Sequence, residues 1–117
     1  MTNAKGTDIT ELDADYLRSV LDRYVGSQND PLLRITFTNG EIYVIRYLAE
    51  VNEEAAGYEP DAAGIWSGDI VACENLAPER AKLFVPGSGC DFSGSEVYEI
   101  EDDVSGECLF TRESVRL

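Results

Sequence analysis

The chain has 117 residues, of which 44% are hydrophobic and 27% are charged, a composition that predicts one globular domain able to bury a core. Twenty-three Asp and Glu residues against nine Lys and Arg leave a net charge of -14. A field of that sign repels nucleic acids and anionic membranes and attracts basic proteins and cations. We therefore expect no nucleic-acid partner and no membrane association.

The cysteines and the N-terminal residues indicate which metal sites and which cellular location to expect. Cys73, Cys90 and Cys108 are widely spaced, and the chain has no histidine, so neither a Cys-x-x-Cys site nor a mixed Cys/His metal site is predicted. We expect no metal and no cofactor. The opening residues, MTNAKGTD, include no apolar segment typical of a signal peptide, and no apolar run has the length of a membrane span. These features predict a cytoplasmic protein with reduced thiols.

The first predicted element is an amphipathic helix that follows a disordered lead-in at residues 1–7. Asp8 and Glu11 have the spacing of a capping box, and Gly26 is placed to end the helix. The apolar residues at helical spacing, which we expect to form the buried face, are Ile9, Leu12, Tyr16, Leu17, Val20, Leu21 and Tyr24.

The second predicted element is a β-hairpin in RITFTNGEIYVIRY, residues 34–47, where Asn-Gly separates two runs rich in β-branched and aromatic residues. A two-residue turn at Asn39 and Gly40 would place Ile35 opposite Val44. The core face on this register is Leu33, Ile35, Phe37, Ile42, Val44 and Leu48. The second strand is apolar on both faces, which is typical of a strongly curved strand or of a strand covered by a helix.

The opposite face of this hairpin raises a choice between core and partner site. Tyr43, Ile45 and Tyr47 lie on it in the predicted register. The simpler interpretation is that the N-terminal helix covers them, and the alternative is that part of the face stays open for a partner. Trp66, the only tryptophan, presents the same choice, and core packing is the favoured interpretation.

The rest of the chain predicts short elements joined by turns. An acidic excursion loop is expected at residues 50–64, with a helical turn at residues 53–56. Further elements are expected as a strand at 69–74, a helical turn at 78–82, a flexible glycine- and serine-rich loop at 86–95, a strand at 97–101, a turn at 102–106, and strands at 107–111 and 115–117. The order predicts a single α+β domain over residues 1–117, with the N-terminal helix packed on a small, curved antiparallel sheet or barrel of about five strands.

Two parts of the chain carry a family resemblance. These parts are the N-terminal helix with the following segment LRITFTNGEIYVIRYLAEVNEE, and the closing segment GECLFTRESVRL. They resemble the small β-barrels of the Sm-like and Src-homology-3-like kind. The resemblance covers residues 1–54 and the last strands. It departs from the Sm-like pattern at Ile45, where that family carries a second glycine, and at Thr111-Arg112-Glu113, where it carries Ile-Arg-Gly. The residues by which that family binds RNA bases are not matched, so the resemblance implies the fold and not RNA binding.

No catalytic site is predicted. The loop PGSGCDFSGSE lacks the Lys and Ser/Thr that a phosphate-binding loop needs. Cys90 has no histidine to activate its thiol and no basic residue between Lys82 and Arg112. An EF-hand calcium loop placed on this acidic run would begin with Glu101, Asp103 and Ser105, but its closing position falls on Arg112, so no calcium loop is predicted.

The distribution of charge carries the leading hypothesis about function. Residues 47–79 include eight acidic residues and no basic one. We expect a non-enzymatic protein-interaction module whose acidic surface docks a basic or cationic partner protein, in its most specific form an inhibitor or immunity-type protein that mimics nucleic-acid charge. The expected acidic contacts are Glu53, Glu54, Glu59, Asp61, Asp102 and Asp103, and the expected apolar contacts are Tyr43, Ile45, Tyr47 and Trp66.

Three alternatives stay open. The first is a small-molecule-binding or enzymatic barrel that uses the loops around Trp66 and Cys90. The second is an acidic surface adapted to high intracellular salt, which needs no partner. The third concerns assembly, since an exposed edge of the predicted hairpin would allow pairing with a second copy of the chain.

Overall fold

The computed structural model describes residues 9–25, 32–59, 61–74, 87 and 89–112. The helices and strands in this part of the chain are α1 (Glu11–Asp22), β1 (Leu33–Phe37), β2 (Ile42–Val51), α2 (Glu53–Ala56), β3 (Ile65–Glu74), β4 (Gly89–Ser93), β5 (Val97–Asp102) and β6 (Cys108–Thr111). The six strands form one antiparallel sheet in the order β4-β3-β2-β1-β5-β6. The α+β prediction is confirmed, with six strands in a curved sheet that does not close into a barrel.

Several predictions lie outside the described residues. These are the lead-in at residues 1–7, the cap at Asp8, the helix-ending Gly26, the helical turn at residues 78–82 and the last strand at residues 115–117. The extent of a single domain over residues 1–117 stays a prediction. The longest helix in the described ranges is α1, whose twelve residues are too few to cross a bilayer.

The helix α1 is confirmed, but its cap and its buried face differ from the prediction. Thr10 is the N-cap, with its hydroxyl oxygen accepting the N–H of Asp13 at 3.1 Å. The buried helix residues are Asp13, Ala14, Leu17, Val20 and Leu21. Leu12 is 70% exposed and Tyr16 is 45% exposed. The helix is therefore rotated so that the row through Ala14 and Leu17 faces the sheet. The ring of Tyr16 is tilted against the ring of Phe110, with the two centroids 5.8 Å apart.

The hairpin is confirmed, but its register is shifted by one residue. Phe37 and Glu41 form the last pair, with the N–H of Phe37 donating to the oxygen of Glu41 at 2.9 Å. The turn therefore has three residues, and it ends at Gly40 with φ of 92°, a backbone conformation that glycine adopts without strain. Ile35 lies opposite Tyr43 instead of Val44.

The shifted register changes which side chains of β2 face the core. A slip of one residue moves every side chain to the other face of a strand. Tyr43 and Ile45 therefore point into the core beside Leu33 and Ile35, and both have no exposed surface. Val44 points to the opposite face and is still only 4% exposed. This explains why the second strand is apolar on both faces.

The sheet is strongly curled around its core. A flat sheet would hold β1 and β4 about 14 Å apart, because neighbouring strands are spaced by about 4.8 Å. In the structure the rings of Phe37 in β1 and Phe92 in β4 meet edge to face, with centroids 5.5 Å apart. The bend lies in β2, where pairing with β3 shifts register between Arg46 and Ala49. Curling brings both ends of the sheet to one hydrophobic core.

The middle of the chain is more regular than its composition predicts. The turn at residues 53–56 is confirmed as α2, and the β5–β6 hairpin is confirmed. The strand predicted at residues 69–74 begins earlier, at Ile65, and has ten residues. The flexible loop predicted at residues 86–95 is wrong over its described part, because β4 pairs with β3 and a 3₁₀ turn, Gly94–Glu96, follows.

We predict that Gly68→Ala destabilises the protein by about 1–3 kcal/mol, because overpacking a filled core costs that much. A Cβ at Gly68 would overlap Cγ2 of the fully buried Ile45 and lie 3.1 Å from the backbone oxygen of Arg46. Urea unfolding measures the change. The control is Gly89→Ala in the neighbouring strand, where a Cβ meets nothing closer than 3.7 Å. Equal stability of both variants would contradict the packing at Gly68.

Candidate functional site

The acidic segment after β2 is a folded structure in which some of the predicted contact residues are structural. Asn52 caps α2 by accepting the N–H of Ala55 at 3.0 Å, and Gly57 ends it with φ of 82°. The Oε2 atom of Glu53 then accepts the N–H of Asp61 at 2.8 Å. Glu53 thus ties the two ends of the segment together, while Glu54 and Glu59 are exposed.

Asp61 anchors the same segment to the rest of the fold. Its Oδ1 atom accepts the N–H of Ala63 at 2.9 Å, and its Oδ2 atom accepts the hydroxyl of Ser95 at 2.7 Å. The backbone oxygen of Ala63 in turn accepts the indole N–H of Trp66 at 2.8 Å. Asp61 is half-buried, so its carboxylate supports the core more than it faces a partner.

Asp102 and Asp103 lie at the turn that joins β5 and β6. The Oδ1 atom of Asp102 accepts the N–H groups of Ser105 and Val104 at 3.0 and 2.9 Å, and these bonds lower the pKa of its carboxyl. Asp103 is exposed. The exposed acidic residues of the predicted set are therefore Glu54, Glu59 and Asp103.

The predicted apolar contacts are placed mostly in the core. Tyr43, Ile45 and Trp66 have no exposed surface and so offer nothing to a partner in this conformation, whereas Tyr47 is 49% exposed. The favoured interpretation of Trp66 as a core residue is confirmed. The hairpin offers no free edge either, since β1 pairs with β5 and β2 pairs with β3. The edges of the described sheet are β4 and β6.

An open cleft of about 610 Å³ lies on the outer side of β3 and β4. The described residues that line it are Tyr47, Tyr58, Ser67, Gly68, Asp69, Gly89, Cys90 and Asp91. The register places Ser67 opposite Asp91 and Asp69 opposite Gly89, so both carboxylates face the same side. The cleft thus has two acidic groups, two tyrosines and, at Gly89, a gap where a side chain would otherwise lie.

The two carboxylates give the cleft a negative potential. The hydroxyl of Tyr58 donates to Oδ2 of Asp91 at 2.6 Å, and this bond raises the pKa of Tyr58. Burial, followed by the charges of Asp91 and Asp69, raises the pKa of Cys90 to about 11. The Cys90 thiol is therefore protonated at neutral pH and unsuited to nucleophilic attack.

Tyr47 forms one wall of the cleft in a strained conformation. Its φ of 59° lies in the left-handed region, which costs a bulky side chain on the order of 1–3 kcal/mol. The bulge in β2 forces this conformation and turns the ring outward instead of into the core. The guanidinium of Arg46 lies over that ring, 4.7 Å from its centroid, in a cation–π contact.

Sequence reasoning did not identify Asp69, Gly89 or Asp91 as site residues. The signal that would have found the last two is the alternation of Gly89 and Asp91 with the buried Cys90 and Phe92, which marks a strand. The glycine and serine content of that segment obscured the alternation. Pairing of β3 with β4 is a long-range contact, so no local pattern brings Asp69 beside Asp91.

The structure gives no metal site in the described part of the chain. No three Cys, Asp or Glu side chains there lie close enough together to hold a metal ion. Comparisons with known proteins do not identify the site either, because no family model, no curated protein and no solved structure gives a significant match to the chain. The resemblance to Sm-like and Src-homology-3-like barrels stays a prediction.

We predict that Asp61→Ala destabilises the protein by about 1–3 kcal/mol, because the N–H of Ala63 and the hydroxyl of Ser95 both lose their acceptor. Urea unfolding of the two proteins measures the difference. Glu59→Ala, two residues away and exposed, is the matched control and should change stability by less than about 0.5 kcal/mol. Equal effects of the two substitutions would contradict an anchoring role for Asp61.

We predict that Asp91→Asn speeds alkylation of Cys90. The negative charge of Asp91 helps to raise the pKa of Cys90, so neutralising it lowers that pKa and increases the thiolate fraction at any pH below about 11. The expected increase in rate with iodoacetamide is about threefold to tenfold, followed by peptide mass spectrometry. Asp103→Asn, at the β5–β6 turn, should leave the rate unchanged. An unchanged rate of Cys90 alkylation in Asp91→Asn would contradict an effect of the Asp91 charge on this thiol.

Proposed function

We propose that the protein is a non-enzymatic interaction module whose acidic surface docks a basic partner protein. The observation that carries the proposal is that several carboxylates are exposed and take no part in holding the fold together. Glu54, Glu59 and Asp103 are exposed, and two other aspartates, Asp69 and Asp91, line an open cleft. A surface of this kind attracts a basic partner at long range and favours it over acidic proteins.

Three of the arginines in the described ranges are held by contacts within the fold. Arg18 pairs with Glu50 at 3.3 Å, and Arg34 pairs with Glu74 at 2.7 Å. Arg112 is buried, and its guanidinium donates to the backbone oxygens of Val97 and Ser95. None of these three arginines pairs with Glu54, Glu59 or Asp103, so these exposed carboxylates keep their charge for a partner.

The most specific form of the proposal is an inhibitor or immunity-type protein. Such a protein places carboxylates where a nucleic-acid-binding partner expects phosphates, and it blocks the partner by occupying its basic surface. The net charge of -14 on a small chain supports this form.

The test is a pull-down from source-cell lysate at about 0.1 M and about 1 M salt, between which the Debye length falls from about 10 Å to about 3 Å. We expect a basic protein, identified by mass spectrometry, to be captured at the lower salt and lost at the higher one. The matched variant carries Glu54→Gln, Glu59→Gln and Asp103→Asn, three exposed positions whose neutralisation should spare the fold.

Loss of capture in that variant would support the proposal. Capture of nothing at either salt concentration would overturn it. Adaptation to high intracellular salt would then be the remaining explanation of the acidic surface. Capture that changes with neither salt nor the variant would also count against it, because the contact would then not depend on the acidic surface.

A further inference from the structure

We propose that the cleft lined by Tyr47, Tyr58, Asp69 and Asp91 receives an arginine side chain of the basic partner. This inference rests on the function proposed above and assigns to that partner one anchoring residue. The cleft is distinct from the exposed acids Glu54, Glu59 and Asp103, so the two ideas can be tested separately.

The first argument is the placement of the two carboxylates. Asp69 and Asp91 lie on adjacent strands and on the same face, as diagonal neighbours in the β3–β4 register. Diagonal neighbours in an antiparallel pair are about 7–8 Å apart at Cα. A guanidinium presents five N–H donors in a planar fork, so one group between the two carboxylates can donate to both.

The second argument is the aromatic wall. Arg46 already rests its guanidinium on the ring of Tyr47 at 4.7 Å, which shows that this ring accepts such a group. Arg46 also lies opposite Asp69 in the register of β2 and β3, yet no ion pair joins these two described residues. A planar cation from a partner that displaces Arg46 from this ring can stack there and reach Asp69, whereas a lysine ammonium lacks the planar surface.

The third argument is the room that the glycines leave. Gly89 lies directly opposite Asp69, and a Cβ there would touch Oδ1 of Asp69 at 3.7 Å. A larger side chain at this position would therefore occupy the space beside the carboxylate. With glycine in place, the cleft of about 610 Å³ stays open to solvent beside Asp69 and Asp91.

The electrostatics of the cleft agree with a cationic ligand. The charges of Asp91 and Asp69 contribute to the raised pKa of Cys90, so their negative potential reaches the cleft wall. Tyr58 donates to Oδ2 of Asp91, and the Oδ1 atom of this lining residue can accept a further hydrogen bond. Among the described residues, Arg46 lies against the ring of Tyr47, and its charge opposes the ligand and sets an expected direction for its removal.

The experiment uses the full chain and two blocked tripeptides, acetyl-Gly-Arg-Gly-amide and its citrulline analogue. Citrulline has nearly the shape of arginine without the charge. We follow amide shifts of the isotope-labelled protein by NMR during titration. The arginine peptide should shift Gly68, Gly89 and Asp91 saturably with a millimolar dissociation constant, and the citrulline peptide should bind about tenfold or more weakly.

Variants separate the cleft from general charge. Asp91→Asn and Gly89→Leu should each weaken the arginine peptide about tenfold, the first by removing a charge that accepts hydrogen bonds and the second by filling the space. Asn keeps an oxygen that can accept from Tyr58, and Gly89 has no positive φ, so both variants should fold. Asp103→Asn should bind as the parent does. Arg46→Gln should bind more tightly, because it frees the ring of Tyr47 and removes a like charge.

Equal binding of the arginine and citrulline peptides, or a loss in Asp103→Asn as large as in Asp91→Asn, would overturn the inference. The Gly89→Leu variant is then used in the pull-down. Undiminished capture of the partner by that variant would overturn the cleft as the anchor while leaving the proposed docking function standing. Peptide binding without any captured partner would overturn the docking function and, with it, the source that we assign to the arginine.

Discussion

The bend of β2 at Tyr47 determines the shape of the molecule. The register of β2 against β3 shifts between Arg46 and Ala49, and a bulge of this kind bends the strand that contains it. Because of that bend, β3 and β4 fold over toward β1, and Phe92 reaches Phe37.

The same bend produces the candidate site. Its backbone conformation turns the Tyr47 ring away from the core and leaves it half exposed beside the outer face of β3. Strain of this kind persists only where the surrounding structure holds it in place, and it is often found at functional sites. Here the surroundings are the paired strands on one side and the guanidinium of Arg46 on the other. The fold and the proposed binding surface therefore share one structural cause.

The acidic residues fall into two groups: those that hold the fold together and those that are exposed on its surface. Glu53, Asp61 and Asp102 accept hydrogen bonds from the backbone and hold local turns together. Such carboxylates contribute to stability as hydrogen-bond acceptors, so they cannot be removed without structural cost. The acids that remain free of such roles, Glu54, Glu59 and Asp103 among them, are the ones available to a partner. A count of acidic residues alone therefore overstates the surface that we propose for docking.

Local patterns in the sequence determined α1, the β1–β2 hairpin, α2 and the β5–β6 hairpin, because helical spacing, Asn-Gly and Asp-containing turns act over a few residues. Tertiary structure decided the rest. The turn at Gly40 took three residues instead of two, which moved Tyr43 and Ile45 into the core. The helix α1 packs against β6 and the 3₁₀ turn with a face that leaves Leu12 exposed. The cleft exists only because β3 and β4 pair across a long stretch of chain, and contacts between distant segments leave no periodicity for a sequence to show.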